Sequence, residues 1–243
     1  MPTKEEQERA APRDRGADVH LRARAQMREY ERAVDRIVAD GPGRLLDWGC
    51  GFGQLSHMLK ARGVDVTSME WHPEIPEGEV RRLERFPDVE ARYTQDPVRL
   101  PYEDGSFDTV LSMGVLEHVQ QPEDSLDELH RVLRPGGRLY VYKLPNRFSY
   151  LEWIARRAGF YYHGQLEHDR VYTPATAKAL VEAHGFVVEE IALANMLPLG
   201  LTHPLTRRRR FVDAYWRANR ALAAVPGLDR LATNVELIAR RTP

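Results

Sequence analysis

The chain has 243 residues, of which 42% are hydrophobic and 29% charged, which is enough for one domain with a substantial core. Its formal net charge of −1 gives no overall field for nucleic acid or an anionic membrane, and its one cysteine, Cys50, excludes an internal disulfide framework or a site built on several thiolates. No apolar run approaches the ~20 residues of a membrane span and no signal-peptide pattern is present, so we expect a cytoplasmic protein.

The N-terminal part of the chain precedes any strand pattern. Residues 1–16 are charged and poor in large apolar side chains, which is typical of a mobile tail. Apolar residues at helical spacing then predict a helix over about 19–40, which a Gly-Pro-Gly sequence ends. We interpret 17–43 as a helical cap on a single domain that spans 17–243.

A glycine-rich turn follows the first predicted strand. An apolar run leads to Asp47, and Gly49, Gly51 and Gly53 then occupy every second position before a helical pattern begins. Glycine allows φ > 0 and close approach of a ligand, and the helix N-terminus adds unpaired N–H groups. A dinucleotide is the first candidate ligand, but the third glycine of its G-x-G-x-x-G fingerprint would fall on Gln54, and Asp47 would repel a pyrophosphate. The turn therefore favours a ligand that carries a cationic group.

The second predicted strand, over 64–69, ends at Glu70. Glu70 follows Gly53 by 17 residues (70 − 53), close to the ~20-residue interval at which an acid binds the hydroxyls of a ribose. Trp71 comes next and is placed to cover one side of a nucleoside. Residues 77–86 are predicted as a short helix, and 89–93 as the third strand.

The most specific stretch runs from Leu100 to Gly137 and contains LPYEDGSFDTVLSMGVLEHV and, further on, LHRVLRPGG. It predicts an Asp-Gly turn, a buried strand over 107–112, a helix that begins at Pro122 and a Pro-Gly-Gly break before a strand over 139–144. With the glycine turn, this block closely resembles the class I methyltransferases that depend on S-adenosylmethionine (SAM), of the methyltransferase type 11 and ubiquinone-menaquinone biosynthesis kind. The resemblance extends over about 44–146.

The resemblance implies an α/β, Rossmann-like fold: a mostly parallel seven-stranded sheet with helices on both faces and an antiparallel last strand. It implies SAM as cofactor and S-adenosylhomocysteine as product. In the family an acid at Asp96 accepts a hydrogen bond from the adenine amino group; Pro97 has no N–H, so the ring contact falls to Val98 or is absent. The cofactor-binding residues expected are Asp47, Gly49, Gly51, Gly53, Glu70, Trp71, Asp96, Pro97 and Met113.

Two insertions are expected to lie outside the common sheet. Residues 146–172 are rich in aromatics and follow the fifth strand, where open α/β sheets bind ligands, so we interpret them as a substrate lid. Residues 195–229 separate the last two strands, which we predict over 186–193 and 235–239. Within them, 197–222 combine the basic run Arg207–Arg210 with one apolar helical face. That pattern fits a weak contact with a membrane surface or an anionic substrate, or a solvated helix with one packed face.

Methyl transfer from a sulfonium requires a nucleophile in line with the methyl group and, if that nucleophile is a hydroxyl, removal of its proton. His118 and His168 are the candidate catalytic residues; the competing interpretation is that Glu117-His118 shapes the loop after the fourth strand and contacts the methionine end of the cofactor. In some relatives a Glu-x-x-Glu-His run here binds a divalent metal. Gly114 replaces the first acid in this chain, so too few ligands remain and no metal is expected.

The function that follows is SAM-dependent transfer of a methyl group to a small molecule. A hydroxyl oxygen of a sugar, quinol or secondary metabolite is the favoured acceptor, with nitrogen or carbon as alternatives. A catalytically degenerate SAM-binding scaffold and a nicotinamide oxidoreductase remain as rival interpretations. No nucleic-acid partner is expected.

Overall fold

The structure is a computed structural model that describes residues 23–160, 163, 169–200 and 208–243. The predicted tail 1–16, the beginning of the predicted N-terminal helix, His168 and Arg207 lie outside the described residues.

Helices and strands alternate along most of the described chain. Their order is α1 (Arg24–Ala39), β1 (Arg44–Trp48), α2 (Gln54–Lys60), β2 (Asp65–Trp71), β3 (Val80–Arg82), β4 (Glu90–Thr94), β5 (Phe107–Met113), α3 (Pro122–Val132), β6 (Leu133–Pro145), α4 (Tyr150–Ala158), α5 (Pro174–Ala183), β7 (Phe186–Ala194), α6 (Arg209–Ala223), a short 3₁₀ helix (Asp229–Leu231) and β8 (Asn234–Arg241).

The strands form one sheet in the order β3-β4-β2-β1-β5-β6-β8-β7. The pairs from β4 through β6 are parallel, whereas β8 is antiparallel to both β6 and β7. The Rossmann-like architecture and the antiparallel last strand are therefore confirmed. The prediction of seven strands was wrong by one, because the short β3 adds an eighth, antiparallel strand beside β4.

The predicted helix over 77–86 was also wrong, since this segment contains β3. Val80, Leu83 and Phe86 have helical spacing, but the Leu83 N–H donates to the Val89 carbonyl at 3.0 Å and the chain turns back at Pro87. The result is a hairpin whose first strand is exposed and carries arginines, a composition typical of a protected sheet edge.

Strand alternation places apolar side chains on both faces of the sheet. Leu45 and Leu111 face α1 and α2, and Leu46 and Val110 face α3 and α5. The helices cover both faces because each presents an apolar stripe, such as Leu126, Leu129 and Val132 of α3, which are fully or almost fully buried. No helix among the described residues is long and apolar enough to cross a membrane.

The position of β1 fixes where a ligand can bind. Its parallel neighbours are β2 on one side and β5 on the other, so the direction in which the chain adds strands reverses at β1. Open α/β sheets bind ligands in the crevice outside the carboxyl ends of the strands at such a point.

Candidate active site

The loop between β1 and α2 has the backbone geometry that its glycines predict. Gly49, Gly51 and Gly53 have φ values of 72°, 53° and 80°, in the left-handed region that disfavours other residues. A Cβ atom on Gly49 would meet Val115, and one on Gly53 would meet Leu83, whereas one on Gly51 would meet nothing within 4 Å. Gly49 and Gly53 are therefore needed for packing, and Gly51 borders open space.

Asp47 lies beneath this loop and does not line the cavity described below. Its buried carboxylate accepts a 2.6 Å hydrogen bond from the Ser56 hydroxyl, which in turn accepts from Ser68 at 2.7 Å. Burial raises the pKa of Asp47 to about 6, against the opposing effect of Ser56. The structure thus places Asp47 as a support for the loop.

Glu70 stands at the carboxyl edge of the sheet, next to the glycine loop. Its Oε2 accepts a 2.6 Å hydrogen bond from the Gly51 N–H, so the carboxylate and the loop hold each other in place. Glu70 and Gly51 both line a cavity of about 670 Å³, within the ~300–1,000 Å³ of typical small-molecule sites.

The cavity runs across the carboxyl ends of the strands. Its walls are formed by Trp48, Gly49, Gly51, Met69, Glu70, Trp71, Thr94, Asp96, Pro97, Val98, Leu100, Gly114, Val115, His118, Val119, Gln120 and Gln121. Glu70 and Asp96 give these walls two carboxylates, and the lining residues that the structure describes include no Lys or Arg. This negative polarity favours a cationic ligand and disfavours a pyrophosphate. The sequence analysis based that expectation on Asp47, whereas in the structure it rests on Glu70 and Asp96.

The wall formed by residues 94–100 is rigidly held. Asp96 Oδ1 accepts from the N–H groups of Val98 at 2.9 Å and Arg99 at 2.8 Å, and these bonds lower the pKa of Asp96. The Val98 N–H is therefore already used, so it does not offer the ring contact considered from the sequence. The Trp71 indole donates to the Gln95 carbonyl at 3.1 Å, which fixes that ring beside the same wall.

One predicted cofactor residue, Met113, is placed elsewhere. It packs against the apolar cluster under α1, and its successors Gly114 and Val115 line the cavity. Sequence reasoning missed three cavity residues at or near the carboxyl ends of β1, β2 and β4; the available signal was that the carboxyl ends of parallel strands lie at the ligand edge. These residues are Trp48, Met69 and Thr94.

His118 lines the cavity at the end that faces the lid. Its Nδ1 lies 3.2 Å from the Asp169 carboxylate, and its Nε2 lies 3.8 Å from Oε1 of Glu117. His163, from the predicted lid, stacks on His118 with ring centroids 5.7 Å apart. The structure therefore brings together, at the cavity, residues that are up to 52 positions apart (169 − 117) in the sequence.

The side chain of Glu117 is buried beneath these rings, with 2% of its surface exposed. Burial raises the pKa of Glu117 to about 7, although the neighbouring His163 and Lys143 act in the opposite direction. Oε2 of Glu117 takes no hydrogen bond from the residues that the structure describes.

Cys50 has no catalytic environment. The thiol is buried, and burial together with the charges of Asp47 and Glu70 raises the pKa of Cys50 well above its ordinary value. It remains a protonated packing residue in the glycine loop, as its position between two glycines predicts.

Comparisons with known proteins agree with this architecture. A family model described as "Methyltransferase domain" matches residues 46–141. Over 165 residues the chain is 32% identical to the ubiquinone biosynthesis O-methyltransferase of Aeromonas salmonicida, which covers 64% of this chain and 68% of that protein. Over 124 residues it is 37% identical to the demethylmenaquinone methyltransferase of Thermus thermophilus, which covers 50% of this chain and only 56% of that relative.

The fold is also similar to that of 1,6-didemethyltoxoflavin-N1-methyltransferase from Burkholderia thailandensis. The TM-score is 0.57, and the match covers all of this chain and 92% of the other. The sequence identity is 18%, so this likeness concerns the fold alone.

Proposed function

The chain belongs to the family of SAM-dependent methyltransferases, and we propose that it transfers the methyl group of SAM to a small-molecule acceptor. The observation that carries this proposal is the position of Glu70 at the carboxyl end of β2, where it accepts a hydrogen bond from Gly51 and lines a cavity whose described walls include two carboxylates and no Lys or Arg. A carboxylate there accepts hydrogen bonds from the two ribose hydroxyls, and the acidic walls favour the ammonium and sulfonium groups of SAM.

Different residues of this cavity would contact different parts of SAM. Trp71 and the 94–100 wall would enclose the adenine, with Asp96 as acceptor for its amino group, and the loop from Gly49 to Gly53 would lie against the methionine part. SAM itself supplies the reactive methyl group; the protein contributes position and a fixed electrostatic environment. Asp47 supports the loop from below through Ser56.

We propose a hydroxyl oxygen as the methyl acceptor and His118 as the catalytic residue. His118 is the histidine among the described cavity residues, and Asp169 holds its Nδ1. A histidine can assist a hydroxyl by accepting its proton. Similarity to the ubiquinone biosynthesis O-methyltransferase supports oxygen as the acceptor atom. Because the chain is also similar to a demethylmenaquinone methyltransferase, the acceptor has to be identified by experiment.

The cofactor is tested by calorimetric titration with SAM, S-adenosylhomocysteine and NAD⁺. We expect saturable binding of the first two and none of NAD⁺; binding of NAD⁺ alone would reject the proposal. The acceptor is tested by incubating the protein and methyl-labelled SAM with metabolite extract and identifying the labelled product. SAM binding without turnover on any extract fraction would favour a scaffold that has kept only the cofactor site.

A further inference from the structure

A second cavity lies between α1, α6 and the antiparallel pair β7 and β8. Its volume is about 170 Å³, and it shares no lining residue with the cofactor cavity. A cavity of ~150 Å³ can hold benzene, so this one suits a ligand of about six non-hydrogen atoms. The space is left by small side chains on β7 and at the end of α6, namely Ala192, Ala194, Ala223 and Ala224.

Two carboxylates line this cavity and share one guanidinium. Glu29 on α1 and Glu236 on β8 are almost fully buried, and Arg32 pairs with both. Burial raises the pKa of Glu236 although Arg32 lowers it, so one guanidinium does not offset the cost of two buried charges. Arg220 also belongs to the lining, but it is exposed and its Cζ lies over the Trp216 ring, 5.2 Å from the centroid. The buried part of the cavity is therefore short of one positive charge.

Two buried polar atoms of the lining provide an independent indication, because they have no hydrogen-bond partner among the described residues. They are Oε1 of Glu236, an acceptor, and Nδ2 of Asn195, a donor. Asn219 accepts from the Leu197 N–H at 2.8 Å and donates to Oδ1 of Asn195 at 3.0 Å, which fixes the orientation of both amides. Leaving such groups unpaired is costly, and a ligand with one donor and one acceptor removes that cost.

We propose that this cavity binds a small organic cation, an amine that also carries a hydroxyl or carbonyl oxygen. The ammonium group of the ligand donates to Oε1 of Glu236 and supplies the missing positive charge. The oxygen of the ligand accepts from Nδ2 of Asn195. Because the site lies outside the cofactor cavity, it is a second binding function of the protein.

The probe is 4-aminobutan-1-ol, which combines an ammonium group, a hydroxyl and a length that suits the cavity. The full chain is titrated with it at pH 8, where an alkyl amine is still protonated, and binding is followed by calorimetry. The side-chain amide NMR signal of Asn195, identified by its loss in Asn195→Gly, should shift. We expect one equivalent to bind with a Kd of about 1 mM or lower. Butane-1,4-diol and 4-hydroxybutanoate, the neutral and anionic analogues, should bind at least tenfold more weakly.

Three variants test the residues and the space. Glu236→Gln removes the charge but keeps an acceptor for Arg32, and Asn195→Gly removes the donor at a position whose φ of 66° suits glycine. Ala223→Leu fills the cavity without changing its polar groups. Each variant should weaken binding of the amine at least tenfold.

Glu190→Gln is the matched control, because Glu190 on β7 also pairs with an arginine of α1, Arg36 at 2.9 Å, but lies outside the cavity. Glu70→Gln is a second control, because the acids of the cofactor cavity also attract amines. Both controls should bind the amine as the unchanged protein does, and thermal unfolding shows which variants are folded.

The proposal is overturned if the unchanged protein does not bind the amine, or if the diol binds equally well. It is also overturned if binding survives both Glu236→Gln and Ala223→Leu, or is lost equally in either control. The titration uses neither SAM nor a methyl acceptor, so it can fail while the methyltransferase proposal stands.

Discussion

Glu70 determines how the cavity recognises its ligand at the level of one side chain. Replacing it by Gln keeps the shape and one acceptor oxygen but removes the charge. Hydrogen bonds to a charged group contribute roughly 1.5–3 kcal/mol, so Glu70→Gln should weaken SAM binding about 10- to 150-fold. Calorimetry measures this directly.

The control is Glu74→Gln, since Glu74 is an exposed acid four positions later that does not line the cavity. It should leave the affinity for SAM unchanged. Equal affinity of Glu70→Gln and the unchanged protein would mean that the ribose site has been assigned to the wrong residue.

Asp47 makes a second prediction, on pH and stability. Its pKa is about 6 in the folded protein, against ~3.9 when unfolded, so the folded state holds the proton more tightly. The unfolded state therefore loses its proton first, and this group's contribution to stability falls as the pH rises from about 4 to 6. The Asn of Asp47→Asn does not titrate, so the variant does not lose this stability. The free energy of unfolding of the variant minus that of the unchanged protein should therefore increase by roughly 2–3 kcal/mol as the pH rises through this window.

Urea unfolding of both proteins at several pH values measures that difference. The buried acids Glu117 and Glu236 titrate in both proteins, so their effects cancel in the comparison. A difference that does not change between pH 4 and 7 would contradict a raised pKa at Asp47.

Helix α4, which belongs to the predicted lid, is weakly anchored. None of its residues is buried, although Ser149 caps its beginning and Gly159, with φ 72°, ends it. The Tyr150 hydroxyl donates to the Met196 carbonyl at 2.5 Å and so ties α4 to the segment after β7. An element with so little buried surface depends on such single contacts for its position.

Tyr150→Phe should therefore loosen α4 while leaving the sheet unchanged. Loss of one hydrogen bond, about 1 kcal/mol, should lower hydrogen-exchange protection of α4 amides about fivefold. Tyr215→Phe is the control, because it removes the equivalent bond of α6, from the Tyr215 hydroxyl to the Pro198 carbonyl at 2.7 Å. If both variants affected α4 alike, or neither did, Tyr150 would not be its anchor.

Elements with strong local patterns were predictable from the sequence. The helix that begins at Pro122 and the helix capped by Thr173 both lie where cap residues and apolar spacing indicate. The hairpin of β3 was not predictable, because Val80, Leu83 and Phe86 fit a helix and the pairing partner Arg92 is set by tertiary contacts. The spacing of these apolar residues fits a helix, and the turn at Pro87 is what selects the hairpin.

The same limit applies to the site. The positions of Gly49, Gly51, Glu70 and Asp96 beside the cavity were predictable because strand ends and turns are local features. Met113 packs against the apolar cluster, and the cavity begins at the next residue, because a shift of one residue along a strand turns the side chain to the other face of the sheet. The approach of His163 to Glu117 was not predictable, because it depends on how the segment after β6 folds back, which no local spacing encodes.

A buried cluster of charges joins the N-terminal helix to the far side of the sheet. Arg32 of α1 pairs with Glu29 and donates to Oε2 of Glu236 on β8 at 2.6 Å. Burial and the charge of Arg32 oppose each other at Glu236, and burial prevails, so the pKa of Glu236 is raised. Removing Arg32 would leave two buried acids facing each other.

Arg32→Leu should accordingly destabilise the whole molecule by about 3–5 kcal/mol, the cost of breaking a buried ion pair on one side. Denaturant unfolding gives the value. Arg81→Ala removes an exposed pair with Glu79 and should produce no measurable change. A small effect of Arg32→Leu would show that α1 is held by its apolar face alone.

Binding of SAM should also raise the stability of the whole domain, because the cavity is lined by residues at or just after the ends of β1, β2, β4 and β5, in the centre of the sheet. A ligand that binds only the folded state at 100 times its Kd stabilises it by about 2.7 kcal/mol. For a domain of this size that corresponds to a rise of roughly 5–10 °C in Tm. SAM should produce this shift, NAD⁺ should not, and Glu70→Gln should reduce it. A shift with NAD⁺ would show that the acidic walls do not exclude phosphates, and the electrostatic argument for a cationic cofactor would fail with it.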